Sequence, residues 1–148
     1  MAAASVFYVF HGAKGKLGDG TIDLDTHDFK VALVKSTWTP NLATNAVWAD
    51  ISTNEVANGY GYTTGGTALV TPTWVNSSGT MTFDAESPEW TAAGGSITAR
   101  YAVIYDDTNA AKDLLCYCLL DTAPADVTAT TGNVFLIELN AAGIFTLA

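Results

Sequence analysis

The stretch ITARYAVIY at residues 97–105 is the longest regular strand signal in this 148-residue chain. Its side chains are mostly β-branched or aromatic, and such residues favour extended backbone. Gly94-Gly95 stands just before the stretch, and Asp106 to Asn109 follows it. Both flanking segments have the composition of turns. We therefore predict a single strand from Ile97 to Tyr105.

Similar short stretches recur along the chain at roughly 8–12-residue spacing, separated by Gly, Pro, Asn and Asp. Long crossover helices, which parallel sheets need, are missing, so the pairing should be mostly antiparallel. The pattern predicts an all-β fold, an antiparallel β-sandwich of jelly-roll-like arrangement with a short N-terminal helix. The other predicted strands are Phe29 to Val34, Thr67 to Val75, Thr80 to Phe83, Pro88 to Thr91, Leu114 to Leu120, Asn133 to Leu139 and Ile144 to Leu147.

The helix is predicted over about residues 5–17, and Gly18-Asp19-Gly20 would end it. Residues 1–20 would form this helix or an arm, and residues 1–148 one domain. The first ten residues are unusually apolar, which suits an exchanged arm or a partner-contacting segment. The helical spacing rests on Phe7, Phe10, Lys14 and Leu17, with Ser5 as the cap.

Two further segments have less definite patterns. Ile22 and Leu24 alternate with Asp23 and Asp25, as in a half-exposed strand. The segment from Val47 to Ile51 is compatible with a short helix or a strand.

The composition excludes several partners. Hydrophobic residues make up 49% of the chain and charged residues 14%, and the net charge is −9. Soluble domains carry about 25% charged residues, so part of this surface is expected to be covered by neighbours. The six Lys and Arg residues are scattered. We therefore predict no binding to nucleic acid and no docking to a membrane.

Catalytic motifs are missing from the sequence. His11 and His27 have no accompanying nucleophile motif, and no zinc, P-loop or dinucleotide pattern occurs. The chain is therefore predicted not to be an enzyme and to need no cofactor or metal. One alternative stays open, because Asp19, Asp23, Asp25 and Asp28 could supply oxygen ligands to calcium. The other interpretation of these carboxylates is a solvated turn.

The two cysteines, Cys116 and Cys118, lie two residues apart in an apolar run and would face one side of a strand. They are interpreted as small buried hydrophobes. The absence of a disulfide pattern suits assembly in a reducing cytoplasm.

Aromatic residues provide the candidate interface. The four tryptophans are expected in the core. Tyr60 and Tyr62 lie in a glycine-rich loop, where either local packing or a protein interface would suit them. With Phe7 and Phe10 of the apolar N-terminal segment they form the predicted interface set.

Five segments, taken in order, resemble a family of small all-β virion structural proteins of tailed bacteriophages. The likeness extends over nearly the whole chain and depends on the order in which the five segments occur. The segments are Gly18 to Leu24, Asp28 to Val34, Asn54-Glu55-Val56 with Gly61-Tyr62-Thr63 and Gly65-Gly66, Ala99 to Thr108, and Ala142 to Leu147.

The resemblance implies a head decoration, or cement, protein that binds the major capsid protein on the outside of the shell and stabilises capsomer junctions. It implies a homo-oligomer, expected to be a trimer, located on the virion after assembly in the host cytoplasm. The alternative is a tail, baseplate or head-fibre component, and a third hypothesis is a glycan-binding module.

Overall fold

The computed structural model describes residues 2–3 and 6–148 of the chain. Within these residues strands predominate, accompanied by one α-helix, α1 (His11–Asp19), and two 3-10 turns, Trp48–Asp50 and Ser52–Asn54. The strands are β1 (Ala2–Ala3), β2 (Tyr8–Val9), β3 (Phe29–Val34), β4 (Thr67–Ala68), β5 (Thr73–Ser77), β6 (Thr80–Asp84), β7 (Glu89–Thr91), β8 (Ile97–Ala99), β9 (Tyr101–Asp106), β10 (Leu114–Leu119), β11 (Val127–Ala129), β12 (Val134–Glu138) and β13 (Phe145–Leu147).

The described strands form four sheets. The largest has the order β2-β10-β9-β3-β4 and is antiparallel throughout. Two others, β13-β6-β5 and β11-β8, are also antiparallel. In the fourth, β1-β12-β7, the pairing of β12 with β7 is antiparallel and that of β1 with β12 is parallel. The prediction of a mostly β, mostly antiparallel chain with one short helix near its start is confirmed.

The centre of the large sheet is formed by β3 and β9, which pair at six positions from Phe29↔Asp106 to Val34↔Tyr101. The strand predicted from Phe29 to Val34 is confirmed. The single strand predicted over residues 97–105 is wrong, because the chain changes sheets at Arg100. There the Arg100 amide donates to the carbonyl of Val34, while β8 leaves to pair with β11.

The predicted helix over residues 5–17 is misplaced. Tyr8–Val9 is instead extended, because it pairs with β10 as the edge strand β2. Phe10 also has extended backbone, and its amide donates to the carbonyl of Leu115, so the helix starts only at His11. Gly20, with a φ of 81°, ends it in the left-handed conformation. The predicted cap, Ser5, lies outside the described residues.

Three other segments differ from the sequence prediction. Residues 22–25 form a turn and no strand, since the carboxylate of Asp23 accepts the amide of Asp25 and closes it. The strand predicted from Thr67 to Val75 is divided into β4 and β5, with Thr71 between them at a φ of 49°. The third segment, β11, was not predicted at all, whereas Val47 to Ile51, for which a short helix or a strand was predicted, contains the short 3-10 helix Trp48–Asp50.

Buried side chains from Phe7 to Ile144 form one hydrophobic cluster. Phe29 of the large sheet packs edge-on against Phe83 of β6, with ring centroids 5.3 Å apart. Trp90 of β7 lies 5.7 Å from Tyr62 and 6.3 Å from Phe135, measured between centroids. The sheets thus share one aromatic core.

Candidate functional site

The four residues predicted for an interface have different surroundings. Phe10 is fully buried, Phe7 is 9% exposed and Tyr62 is 2% exposed, so these three side chains pack within the chain. Tyr60 is 57% exposed and presents its ring to solvent. An interface role for the set stays a prediction, and Tyr60 is the member whose side chain is accessible in the isolated chain.

Tyr62 is held by a buried carboxylate. Its hydroxyl donates to Oε1 of Glu55 at 2.7 Å and accepts the amide of Leu33 at 3.0 Å. The amide of Gly65 donates to the same Glu55 oxygen at 2.6 Å. Burial raises the pKa of Tyr62 far above its usual value. The glycine-rich loop is therefore fixed to β3 by hydrogen bonds inside the protein.

The glycines of this loop permit close backbone approach. Gly61 and Gly66 have φ angles of 94° and 79°, and a Cβ built on either would overlap a carbonyl oxygen, that of Thr91 or that of Val31. The exposed Tyr60 ring covers Gly95, where a Cβ would overlap the ring. The loop is thus a packed element of the fold, and Tyr60 is its exposed aromatic side chain.

The N-terminal segment has two faces. Phe7 and Phe10 point into the core, whereas Val6 is 73% exposed and Tyr8 is 45% exposed. The alternation of exposed Val6, buried Phe7 and exposed Tyr8 is that of a half-buried strand. This signal was present in the sequence, but the helical spacing of Phe7 and Phe10 concealed it.

A groove of about 590 Å³ lies between this segment and the chain near residue 143. Its walls include Val6, Tyr8, Leu119 and Ile144, and none of its lining residues is charged. An apolar, uncharged concavity of this kind suits a protein partner better than a polar small molecule.

A second groove, of about 520 Å³, lies between α1 and the sheet β13-β6-β5. Leu17 of the helix faces Trp74, Phe145 and Leu147 across it. Leu147 is 61% exposed. Lys14 and Asp23 are the charged members of the lining.

Both grooves are lined by residues of the same two segments, residues 6–9 and 143–147. We call the exposed apolar side chains of these segments, together with the grooves they border, the terminal surface. Exposed apolar patches with little charge are typical of surfaces that meet another protein. The exposed members of the terminal surface are Val6, Tyr8 and Leu147, and the buried Ile144 and half-buried Phe145 line its grooves.

Buried carboxylates lie at the end of β9 and the start of β10. Asp106 is fully buried, and its Oδ2 lies 2.6 Å from Nδ1 of His27. Its Oδ1 accepts the amides of Thr108 and Asn109. Sequence analysis interpreted Asp106 only as a polar strand end, because the partner His27 is distant along the chain.

Two more carboxylates complete this cluster. Asp113 is 1% exposed and accepts hydrogen bonds from the amine of Lys16 on α1 and from the side-chain amide of Asn109. Asp107 pairs with Lys112 and with Lys30, and these hydrogen bonds and charges lower its pKa. Each carboxylate therefore has bonding partners, and His27 and Lys16, the partners of Asp106 and Asp113, tie segments outside the large sheet to it.

The acidic segment from Asp19 to Asp28 forms hydrogen bonds between residues close in sequence. The carboxylate of Asp23 accepts bonds from the Thr26 hydroxyl and the Asp25 amide, which lower its pKa. Asp19 accepts from Thr21, with the same effect on its pKa. Within residues 2–3 and 6–148, no group of three or more His, Cys, Asp and Glu side chains is arranged to hold a metal ion.

Cys116 and Cys118 are free, buried thiols. Burial raises the pKa of Cys116 well above its usual value and that of Cys118 to about 12. Burial therefore favours the neutral thiol form of both, in agreement with their interpretation as small buried hydrophobes.

In the part of the chain that the structure describes, no helix is long and apolar enough to cross a membrane. Comparison of the chain with protein-family models, with curated proteins and with solved structures finds no match.

Proposed function

We propose that this chain is a structural protein of a tailed-bacteriophage virion, and that it decorates the outer surface of the capsid. Its partner is the major capsid protein, and it acts as a homo-oligomer, with three copies grouped over a capsomer junction. The ordered sequence segments that resemble virion proteins support this role. The finer fold that we propose is an antiparallel β-sandwich of jelly-roll-like arrangement, supported by the Phe29–Phe83 packing between two sheets.

The terminal surface is the single observation that carries the proposal. Val6, Tyr8 and Leu147 expose 73%, 45% and 61% of their surface, and none of the residues that line the first groove is charged. Leaving apolar area in water costs about 25 cal/mol per Å². Contact with a capsid subunit would remove that cost, which gives the surface a reason to bind.

Binding across a junction would stabilise the shell by mass action. A ligand that binds assembled subunits and not dispersed ones shifts the equilibrium toward the assembly. Each contact can be weak, because the copies of one oligomer act together and raise the effective concentration. The two free cysteines are compatible with assembly in the reducing cytoplasm of the host.

The test uses purified protein and shells that lack it. Leu147→Asp places a charge in the terminal surface and should weaken binding to shells at least about tenfold. Val70→Asp is the matched control, because Val70 is 53% exposed but lines neither groove. Tyr60→Asn, which tolerates the φ of 54° at this position, tests the predicted contribution of the loop.

The proposed role is supported if wild-type protein and V70D coat the shells and L147D does not. It is wrong if wild-type protein neither binds the shells nor protects them from heat. Immunogold labelling of particles distinguishes the alternative, since label confined to one vertex or to the tail would indicate a tail, baseplate or head-fibre component.

A further inference from the structure

The outer edge of β5 is an exposed strand edge. β5 is the terminal strand of the sheet β13-β6-β5, so among the described strands its only neighbour is β6. Four of its five residues are exposed, and Val75 is 55% exposed. An edge of this kind presents backbone amides and carbonyls that can pair with another strand.

The hairpin register shows which backbone groups point outward. Ser77 pairs with Thr80 around a two-residue loop, in which Ser78 and Gly79 have φ angles of 53° and 89°. Loops of this type close on a hydrogen-bonded pair, and such pairs alternate along the strands. Ser77, Val75 and Thr73 therefore bond to β6. The amides and carbonyls of the two residues between them, Trp74 and Asn76, are directed to the free edge.

The strand lacks the features that usually protect an edge. Proteins discourage edge pairing with lysines, prolines or bulges. The sequence of β5 is TWVNS, with neither charge nor proline inside the strand, since Pro72 stands just before it, and its pairing with β6 continues without a register shift. In a chain of net charge −9, an uncharged, regular and exposed edge stands out as a pairing surface.

We propose that β5 pairs with β5 of a second copy of this chain, antiparallel, about a two-fold axis at Val75. In this register Trp74 of one copy lies opposite Asn76 of the other, and these two residues exchange amide–carbonyl bonds. The symmetry repeats the pair, which gives four hydrogen bonds. Val75 of one copy meets Val75 of the other as a non-hydrogen-bonded pair, where side chains are closest.

The symmetry of the edge favours a second copy over a different protein strand. The two outward residues, Trp74 and Asn76, are equally spaced about Val75, so the edge is complementary to itself. Every opposed pair would be neutral: Trp74 with Asn76, Val75 with Val75, and Thr73 with Ser77. No like charges meet in the paired strands, although the two chains repel overall.

The contact is small. Five residues per copy bury far less than the roughly 800 Å² per partner of stable complexes. We therefore expect weak association in solution, stronger at high ionic strength because salt screens the repulsion between acidic chains. The contact becomes effective where copies are held near one another, and it would link neighbouring oligomers rather than build one.

The experiment is sedimentation equilibrium of the purified chain at rising concentration, in low and high salt. Val75→Lys places two positive charges opposite each other and should weaken the β5 contact at least about tenfold. Val70→Lys is the matched control, an equally exposed valine outside the strand. Asn76→Pro removes an outward amide and the side-chain acceptor of the Gly79 amide, without removing a backbone bond to β6, and should also weaken association.

Hydrogen exchange supplies a readout specific to this geometry. As the concentration rises, the amides of Trp74 and Asn76 should gain protection, whereas that of Val75, already bonded to β6, should change little. The inference is overturned if those two amides gain no protection at millimolar concentration, or if V75K associates as strongly as wild type. The test needs no shells, so its failure would leave the proposed capsid role untouched.

Discussion

The glycine-rich loop at residues 58–66 and the β5–β6 hairpin at residues 73–84 are alike in sequence and opposite in structure. Both are rich in Thr and aromatic residues and almost free of charge, although the loop has four glycines and the hairpin only Gly79. In the loop, Tyr62 is 2% exposed and bonded to Glu55. In the hairpin, Val75 is 55% exposed, and the outer edge of β5 pairs with no other described strand.

The difference arises from what lies beneath each segment. A buried acceptor, Glu55, and two close backbone approaches hold the loop against β3 and β7. The hairpin has a two-residue turn that needs no support from the rest of the chain. Composition alone therefore does not separate a packed loop from a pairing edge, whereas a buried hydrogen-bond partner does.

Two glycine substitutions should show the largest difference between the two regions in the free energy of unfolding. Gly66→Ala forces a Cβ into the Val31 carbonyl at a φ of 79° and should lower the free energy of unfolding by about 3–5 kcal/mol. Gly79→Ala in the hairpin has a similar φ, 89°, but nothing within 4 Å, and should cost only about 1–2 kcal/mol. Urea unfolding measures both, and equal losses would show that the loop is not closely packed.

The hydroxyl of Tyr62 should make a smaller contribution to the stability of the glycine-rich loop. Tyr62→Phe removes one donor from Glu55 and leaves the buried amide of Leu33 without its acceptor. We expect a loss of about 1–3 kcal/mol in the free energy of unfolding. Tyr60→Phe is the control and should change it by less than about 0.5 kcal/mol. If Y62F has the same free energy of unfolding as wild type, water replaces the lost hydrogen bonds.

The dependence of stability on acid pH should arise at Asp107, which lies outside both regions. The pairing with Lys112 and Lys30 lowers the pKa of Asp107 in the folded state. Its stabilisation is thus present above the ordinary carboxyl pKa and disappears as the pH falls through the lower folded value. Asp107→Asn should cost about 0.5–1 kcal/mol at pH 7 and nothing in strong acid. This expectation would be contradicted if wild-type protein and D107N still differed in their free energy of unfolding in strong acid.

Leu147→Asp should have the smallest effect on stability. Because Leu147 is 61% exposed, its replacement should change the free energy of unfolding by less than about 0.5 kcal/mol. Differential scanning calorimetry checks this. A large loss would mean that the terminal surface is part of the core, and that weakened binding to shells reports unfolding.

Much of the sheet structure could be predicted from sequence, because it depends on local patterns. The strand Phe29–Val34 is continuous, apolar and bounded by polar residues, so its limits were visible. The start of the chain was misjudged because Phe7 and Phe10 fit helical spacing, while pairing with β10 makes Tyr8–Val9 extended. Tertiary pairing overrode the local signal.

The candidate site was less predictable, because exposure depends on distant partners. Nothing near Tyr62 in sequence shows that Glu55 turns toward it inside the core. The pairing of His27 with Asp106 joins residues 79 positions apart. The terminal surface brings together the two ends of the described chain, which only the folded structure places side by side.

The parallel pairing of β1 with β12 has a consequence for biosynthesis. Ala2 and Ala3 are synthesised well before their partners, Ile137 and Glu138, because the partners stand 135 positions further along the chain. The β1–β12 pair therefore forms only after β12 has been made, and such distant pairings form slowly. Until then β1 is without its partner strand, and unpaired strand edges in folding intermediates are prone to aggregation.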